Sequence, residues 1–145
     1  MISDLVITPL KRINNPKGDI FHILKCSESS FSQFGEAYFS TVNFNDIKGW
    51  KQHTKMFLNL VVAIGSVKFV IYDDRKNSAS YGKFQEVILS VDNYCRLSVP
   101  PGLWMAFQGV GEDTNILLNI ASIEHDSNES LLKDISEIIY EWSTL

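Results

Sequence analysis

The sequence is short of the residues that announce a metal centre, a disulfide scaffold or a membrane span. Only three histidines, His22, His53 and His125, occur in 145 residues, and none has a histidine partner at ligand spacing. The strong metal signal on a strand would be His-x-His backed by a carboxylate and a third histidine; here Lys51 stands two residues before His53, and an ammonium is a poor ligand. No metal is expected. The two cysteines, Cys26 and Cys95, are isolated and lack C-x-x-C spacing, so they read as buried free thiols in a reducing cytoplasm. No apolar run approaches the roughly 18 residues of a membrane span. The N-terminal stretch MISDLVITPLKR carries an early acid and no long apolar core, so no secretory signal is expected and the chain is read as cytoplasmic. Positive charge is not in excess: 13 Lys and Arg against 17 Asp and Glu give a formal net charge of −4, which argues against a binder of phosphate backbones, nucleic acid included. There is no G-x-S-x-G nucleophile motif, linker, internal repeat or low-complexity segment.

What is present is a succession of short apolar stretches separated by turn residues. Hydrophobic content of 45% and charged content of 21% are ordinary for a soluble domain, and the length suits one domain with a real core. Strands are expected within Asp4–Leu10, Ile20–Leu24, Gly35–Phe44, Phe84–Leu89, Tyr94–Val99, Leu103–Phe107 and Ile116–Ser122. Turn chemistry lies between them at Asn14–Asp19, Asp92–Asn93, Pro100–Gly102 and Gly109–Asn115. Many short strands at close spacing predict an all-β antiparallel sandwich or jelly roll. Only the tail departs from this pattern. Leu131, Ile135, Ile138, Ile139 and Trp142 recur at helical spacing, with Asp126 and Asn128 as capping oxygens, which predicts an amphipathic helix over about 129–142 packed on the barrel.

The segment Ile47–Arg75 concentrates the chemistry. It reads as a hairpin, with a polar-studded first strand, a glycine turn at Gly65–Ser66 and a second strand Val67–Tyr72. If the first strand is unbroken, alternation puts Lys51, His53, Lys55, Phe57 and Asn59 on one face. Burying such groups unpaired costs roughly 1–3 kcal/mol for a neutral polar group and more for a charge. A cavity open to a polar ligand removes that cost; a solvated edge strand is the alternative. Asn119, alone in the apolar strand Ile116–Ser122, is expected to face the same cavity or to satisfy a bulge.

Several pieces, in order, carry a family resemblance. They are Asn15–Pro16–Lys17–Gly18–Asp19, Phe34–Gly35–Glu36–x–Tyr38–Phe39–Ser40, Lys48–Gly49–Trp50–Lys51–x–His53, Gly65–x–Val67–Lys68–Phe69–Val70–x–Tyr72–Asp73–x–Arg75, Tyr81–Gly82–Lys83 and Val99–Pro100–Pro101–Gly102–Leu103–Trp104. The ordered set, from about Leu5 to Glu129, resembles the dTDP-4-dehydrorhamnose 3,5-epimerase family, a branch of the cupin group. The resemblance implies a jelly-roll (cupin) barrel, usually a homodimer, that takes a nucleotide-linked 4-keto-6-deoxy sugar in cell-surface polysaccharide synthesis. The reaction moves a proton beside the ketone and needs a base, an acid and a group to steady the enolate, with no cofactor.

Departures from the family pattern fall at the reacting residues. Lys51 stands where the family keeps its catalytic histidine, Met105 takes the place of a second histidine after the Pro-x-Gly corner, and Ile123–Glu124–His125 occupies the neighbourhood of the acidic tyrosine. His53 matches the second histidine of the His-x-His strand found in related 3,4-ketoisomerases. Two readings follow. In one, the chain is an active epimerase or ketoisomerase with His53 or Lys51 as base and Glu124 or His125 as acid. The favoured division leaves Lys51 charged on the enolate oxygen with His53 as base, since an imidazole near pKa 6.5 needs no perturbation and a lysine near about 10.4 does. In the other, the barrel binds a sugar nucleotide without turnover. The expected substrate contacts are Lys48, Asn59 and Asn119 in the cavity, Arg75 and Lys17 on the diphosphate (Lys17 across the dimer), and Tyr72 and Trp104 as stacking platforms. Each also has an ordinary structural reading, such as a surface ion pair for Arg75, core packing for Tyr72 and Trp104, and a loop position for His125.

Overall fold

Strand formers that alternate inward and outward build two facing antiparallel sheets. In the computed structural model, which describes residues 1–143, the elements are β1 (Val6–Pro9), β2 (Arg12–Ile13), β3 (Ile20–Phe21), β4 (Glu36–Thr41), β5 (Ile47–His53), β6 (Leu58–Ile64), β7 (Ser66–Tyr72), β8 (Phe84–Ser90), β9 (Cys95–Val99), β10 (Trp104–Gly109), β11 (Ile116–Ala121), a single 3-10 turn (Ser127–Glu129) and β12 (Ser130–Leu132). One five-stranded sheet has the order β1-β9-β6-β11-β4, the other β12-β5-β10-β7-β8, and β2 and β3 form a separate hairpin. This is the expected all-β jelly roll, with strand ends shifted by a residue or a few. Leu58, Leu60 and Val62 from β6, Val67, Phe69 and Ile71 from β7, and Leu97 and Val99 from β9 fill the space between the sheets. Full burial of one such side chain is worth about 1.5–3 kcal/mol.

The segment expected to be a hairpin is not one. β5 stops at His53, and β6 pairs with β9 and β11 in the sheet opposite β5 and β7. The turn at Gly65 is a corner between sheets. Its φ is +78°, and a Cβ there would meet Thr114 O at 2.4 Å, so this crossing suits glycine.

The tail forms no helix among the described residues. Ser130–Leu132 pairs with β5 and covers an edge that would otherwise show unpaired amides. Lys133 and Trp50 then exchange two backbone hydrogen bonds of 3.0 Å, and Asp134 Oδ1 accepts from Ser136 N in a tight turn. Beyond it Ile138, Tyr140 and Trp142 pack on Trp50, Val70 and Trp104 over the outer face of the second sheet, while Ile139 points to solvent. The period is two, not 3.6; Ile138 and Ile139, which the helical reading placed on one face, point in opposite directions. The cysteines are free, but Cys26 is exposed in the loop after β3 and Cys95 half-buried, so neither fits the buried thiol expected.

Candidate functional site

At the open end of the sandwich, where β4 and β11 face β5 and β12, lies a cavity of about 390 Å³. A bulge in β5 organises its floor. β10 pairs Met105 with Lys51 and Phe107 with Lys48, so three residues of β5 span two of β10. The bulge absorbs one residue and leaves Lys48 and Lys51 both lining the cavity, while Trp50 turns to the outer face and is fully buried there. Gly49 makes the bulge feasible: its φ is +139°, and a Cβ would lie 2.5 Å from Ala106 Cβ. Two residues after Lys51, His53 lines the same wall.

His53 is held from behind. Its Nδ1 is hydrogen-bonded to Oε1 of Glu129, which is buried, while Oε2 of the same carboxylate accepts from Lys55 N and Met56 N at 3.0 Å each. Burial pushes the Glu129 carboxyl up, but the bonds from His53 and the two amides outweigh it and hold it below the ordinary carboxylate value. Burial pushes the His53 imidazole down, and the Lys51 and His125 charges add to that push against the pull of Glu129. The result is a neutral imidazole that donates through Nδ1 to an ionised carboxylate and keeps Nε2 as an acceptor. No side-chain hydrogen bond or ion pair engages the Lys51 ammonium among the described residues.

The facing wall carries Tyr38 and Ser40 from β4, Leu117 and Asn119 from β11, and Leu58 and Leu60 from β6. Tyr38 and Asn119 are register partners, and Asn119 Nδ2 donates to Tyr38 Oη at 2.8 Å. The phenol oxygen accepts that bond, so its own proton is free to be given elsewhere. Asn119 Oδ1 is buried without a partner among the described residues.

Of the eleven residues singled out from the sequence, four line this cavity: Lys48, Lys51, His53 and Asn119. Lys48 Nζ donates to Thr41 O at 2.6 Å across the gap between the sheets. The other seven lie elsewhere. Asn59 is on the opposite face of β6, donating to Ser30 O and accepting from Ser98 Oγ, because β5 and β6 are not one strand. Tyr72 stacks on Phe84 on the outer face, with ring centroids 4.6 Å apart. Trp104 shares that face and donates through Nε1 to Asp74 at 2.8 Å. Arg75 is occupied by Asp73, Asp4 and Ser3 O, and it holds the Asp73 carboxyl far below the usual carboxylate range. Lys17 is exposed on the turn between β2 and β3. Glu124 and His125, the expected acids, are exposed in the loop after β11 and are not among the residues that line the cavity; the His125 charge acts on His53. Conversely, Tyr38 and Glu129 escaped the sequence reading of the site. Tyr38 lay within a quoted motif but without a phase to say which way it points, and no local pattern marks Glu129.

An all-β jelly roll with an imidazole, an ammonium and a phenol around one cavity defines a class of barrel proteins with a polar-lined pocket between their sheets. The match to known proteins is narrower: the dTDP-4-dehydrorhamnose 3,5-epimerase family matches residues 2–145, and the chain belongs to that family. The structure of a dTDP sugar isomerase from Desulfovibrio desulfuricans superposes with a TM-score of 0.92 at 33% identity, covering 97% of this chain and 92% of that one. Among curated proteins, the probable low-salt glycan biosynthesis epimerase Agl13 of Haloferax volcanii is 21% identical over 127 residues, 86% of this chain and 81% of its own. The spore coat polysaccharide biosynthesis protein SpsL of Bacillus subtilis is 22% identical over 148 residues, 99% of this chain and 98% of its own.

Proposed function

We propose that this protein is an epimerase or ketoisomerase of a nucleotide-linked 4-keto-6-deoxy sugar in cell-surface polysaccharide synthesis, with His53 as base, Lys51 on the enolate oxygen and Tyr38 as acid. The observation that carries it is the neutral His53, fixed through Nδ1 to buried Glu129 and flanked by an unpaired ammonium, facing a phenol on the opposite wall. The C–H proton beside the ketone passes to His53 Nε2, and the electron pair moves onto O4, where the Lys51 charge stabilises it. Tyr38 then gives its proton to the carbon from the other side, which inverts the centre. His53 and Tyr38 return to their starting states by exchange with water. Base and acid stand on opposite sheets, as inversion requires. A hexose fits the cavity volume, and the nucleotide would extend past the mouth.

Under this reading the protein works in the cytoplasm as a homodimer. The β2–β3 hairpin, with Lys17 on its turn and Ile20 exposed, would reach the partner and bring Lys17 to the diphosphate. Incubation with dTDP-4-keto-6-deoxyglucose in D2O, followed by proton NMR, tests the chemistry. Deuterium is expected at C3 or C5 together with a new keto sugar. Absence of both refutes the enzyme reading for this substrate, and calorimetric binding without exchange supports the non-catalytic alternative.

A further inference from the structure

One wall of the cavity is made by β12, the edge strand that follows Glu129 and pairs with β5. β12 adds Leu132 directly opposite Lys51, and Met105 of β10 is opposite Lys51 on the other side. Register partners in an antiparallel pair share a face, so Leu132, Lys51 and Met105 form one row lining the cavity. The cation is therefore bracketed by apolar side chains. The two brackets differ: Met105 packs into the core between the sheets, whereas Leu132 keeps 76% of its surface exposed at the cavity mouth. Lys133 and Asp134 follow it in the cavity lining and have partners of their own. The Lys133 ammonium sits 4.7 Å over the Trp104 ring on the outer face, and Asp134 Oδ1 accepts from both the amide and the hydroxyl of Ser136.

We infer that Leu132 is a specificity-determining residue that covers the substituent at C5 of the sugar and selects a methyl group there over hydrogen or hydroxymethyl. The inference rests on the functional reading above, in which Lys51 holds O4. The carbons on either side of C4 then project along the row, one carrying a hydroxyl and the other C6. With the Lys51 ammonium engaged on O4, the exposed Leu132 side chain gains by covering a methyl. It offers a C6 hydroxyl nothing to replace the water that group would lose.

Three stable ligands that differ only at C6 test this by calorimetry: dTDP-6-deoxyglucose with a methyl, dTDP-xylose with hydrogen and dTDP-glucose with a hydroxymethyl. The native protein is expected to bind the methyl sugar about fourfold more tightly than dTDP-xylose, the weight of one buried carbon, and to bind dTDP-glucose no better than dTDP-xylose. Leu132→Ala should erase the methyl preference while leaving affinity for dTDP-xylose unchanged, and Leu132→Met should retain it. Because the side chain is mostly exposed, both variants should melt with the native protein. An equal loss for all three ligands in Leu132→Ala, or an undiminished methyl preference, overturns the assignment while leaving the functional reading intact. If none of the three binds the native protein, the functional reading falls and the assignment with it.

Discussion

Replacing Glu129 with Gln tests the catalytic pair at a single oxygen. The two carboxylate oxygens of Glu129 are not equivalent: Oε2 accepts from two backbone amides, Lys55 N and Met56 N, while Oε1 meets His53 Nδ1. A glutamine must place its one carbonyl oxygen against the two amides, since an NH2 group there would face two donors. Its NH2 then points at Nδ1 and requires that nitrogen to be the acceptor. The imidazole proton moves to Nε2, the nitrogen that must take the substrate proton, and the base is blocked with little change in shape. The expected loss in kcat is about 10²–10⁴, the span of a positioned general base. The stability cost is smaller, about 1.5–3 kcal/mol for one hydrogen bond involving a charged group, so the variant should remain folded at room temperature. Initial rates by NMR on dTDP-4-keto-6-deoxyglucose give kcat and KM, and the 15N shifts of His53 report which nitrogen carries the proton. A folded Glu129→Gln protein that keeps its kcat, or whose His53 proton stays on Nδ1, would refute this account of the base.

The remaining predictions concern the facing groups and the pH response. Lys51→Met should lower kcat by about 10²–10³, the weight of one oxyanion donor. Since the Lys51 charge helps hold His53 down, the same variant should move the acid limb of kcat/KM to higher pH; a limb that stays or moves lower contradicts the placement. Tyr38→Phe should separate two readouts in D2O, with exchange continuing because His53 can return a deuteron to the face it came from, and inversion failing; parallel loss of both removes Tyr38 as the acid. His53 has a lower proton affinity folded than unfolded, so its contribution to stability is fully present above about pH 6.5 and is lost as pH falls through the folded value. Thermal melts from about pH 8 to about pH 5 should therefore show a decline beginning near pH 6.5 that is shallower in His53→Gln, and equal slopes would contradict it.

How much of this was legible in the sequence follows from the range over which each feature is determined. The strands were legible because alternation and turn chemistry are local, and Lys51 and His53 were legible as a pair because they sit two apart on one strand. Which sheet a strand joins is decided by partners far away in the chain, and so β6 and β7 looked like a hairpin although each pairs elsewhere. The same distance hid the rest of the site. Glu129 meets His53 from 76 residues away and Tyr38 meets Asn119 from 81, and neither contact leaves a local pattern. The direction of Tyr72 and Trp104 was hidden for a different reason. A strand with one solvated face shows which residues point inward, but β7 and β10 are apolar on both faces, Val67, Phe69 and Ile71 against Val70 and Tyr72, and Met105 and Phe107 against Trp104 and Ala106. The second apolar face exists because Ile135, Ile138, Tyr140 and Trp142 cover it. Reading the tail as a helix therefore also left the choice between stacking platform and core packing open for Tyr72 and Trp104, since a tail laid flat over the outer sheet face is what gives those two aromatic side chains their packing partners.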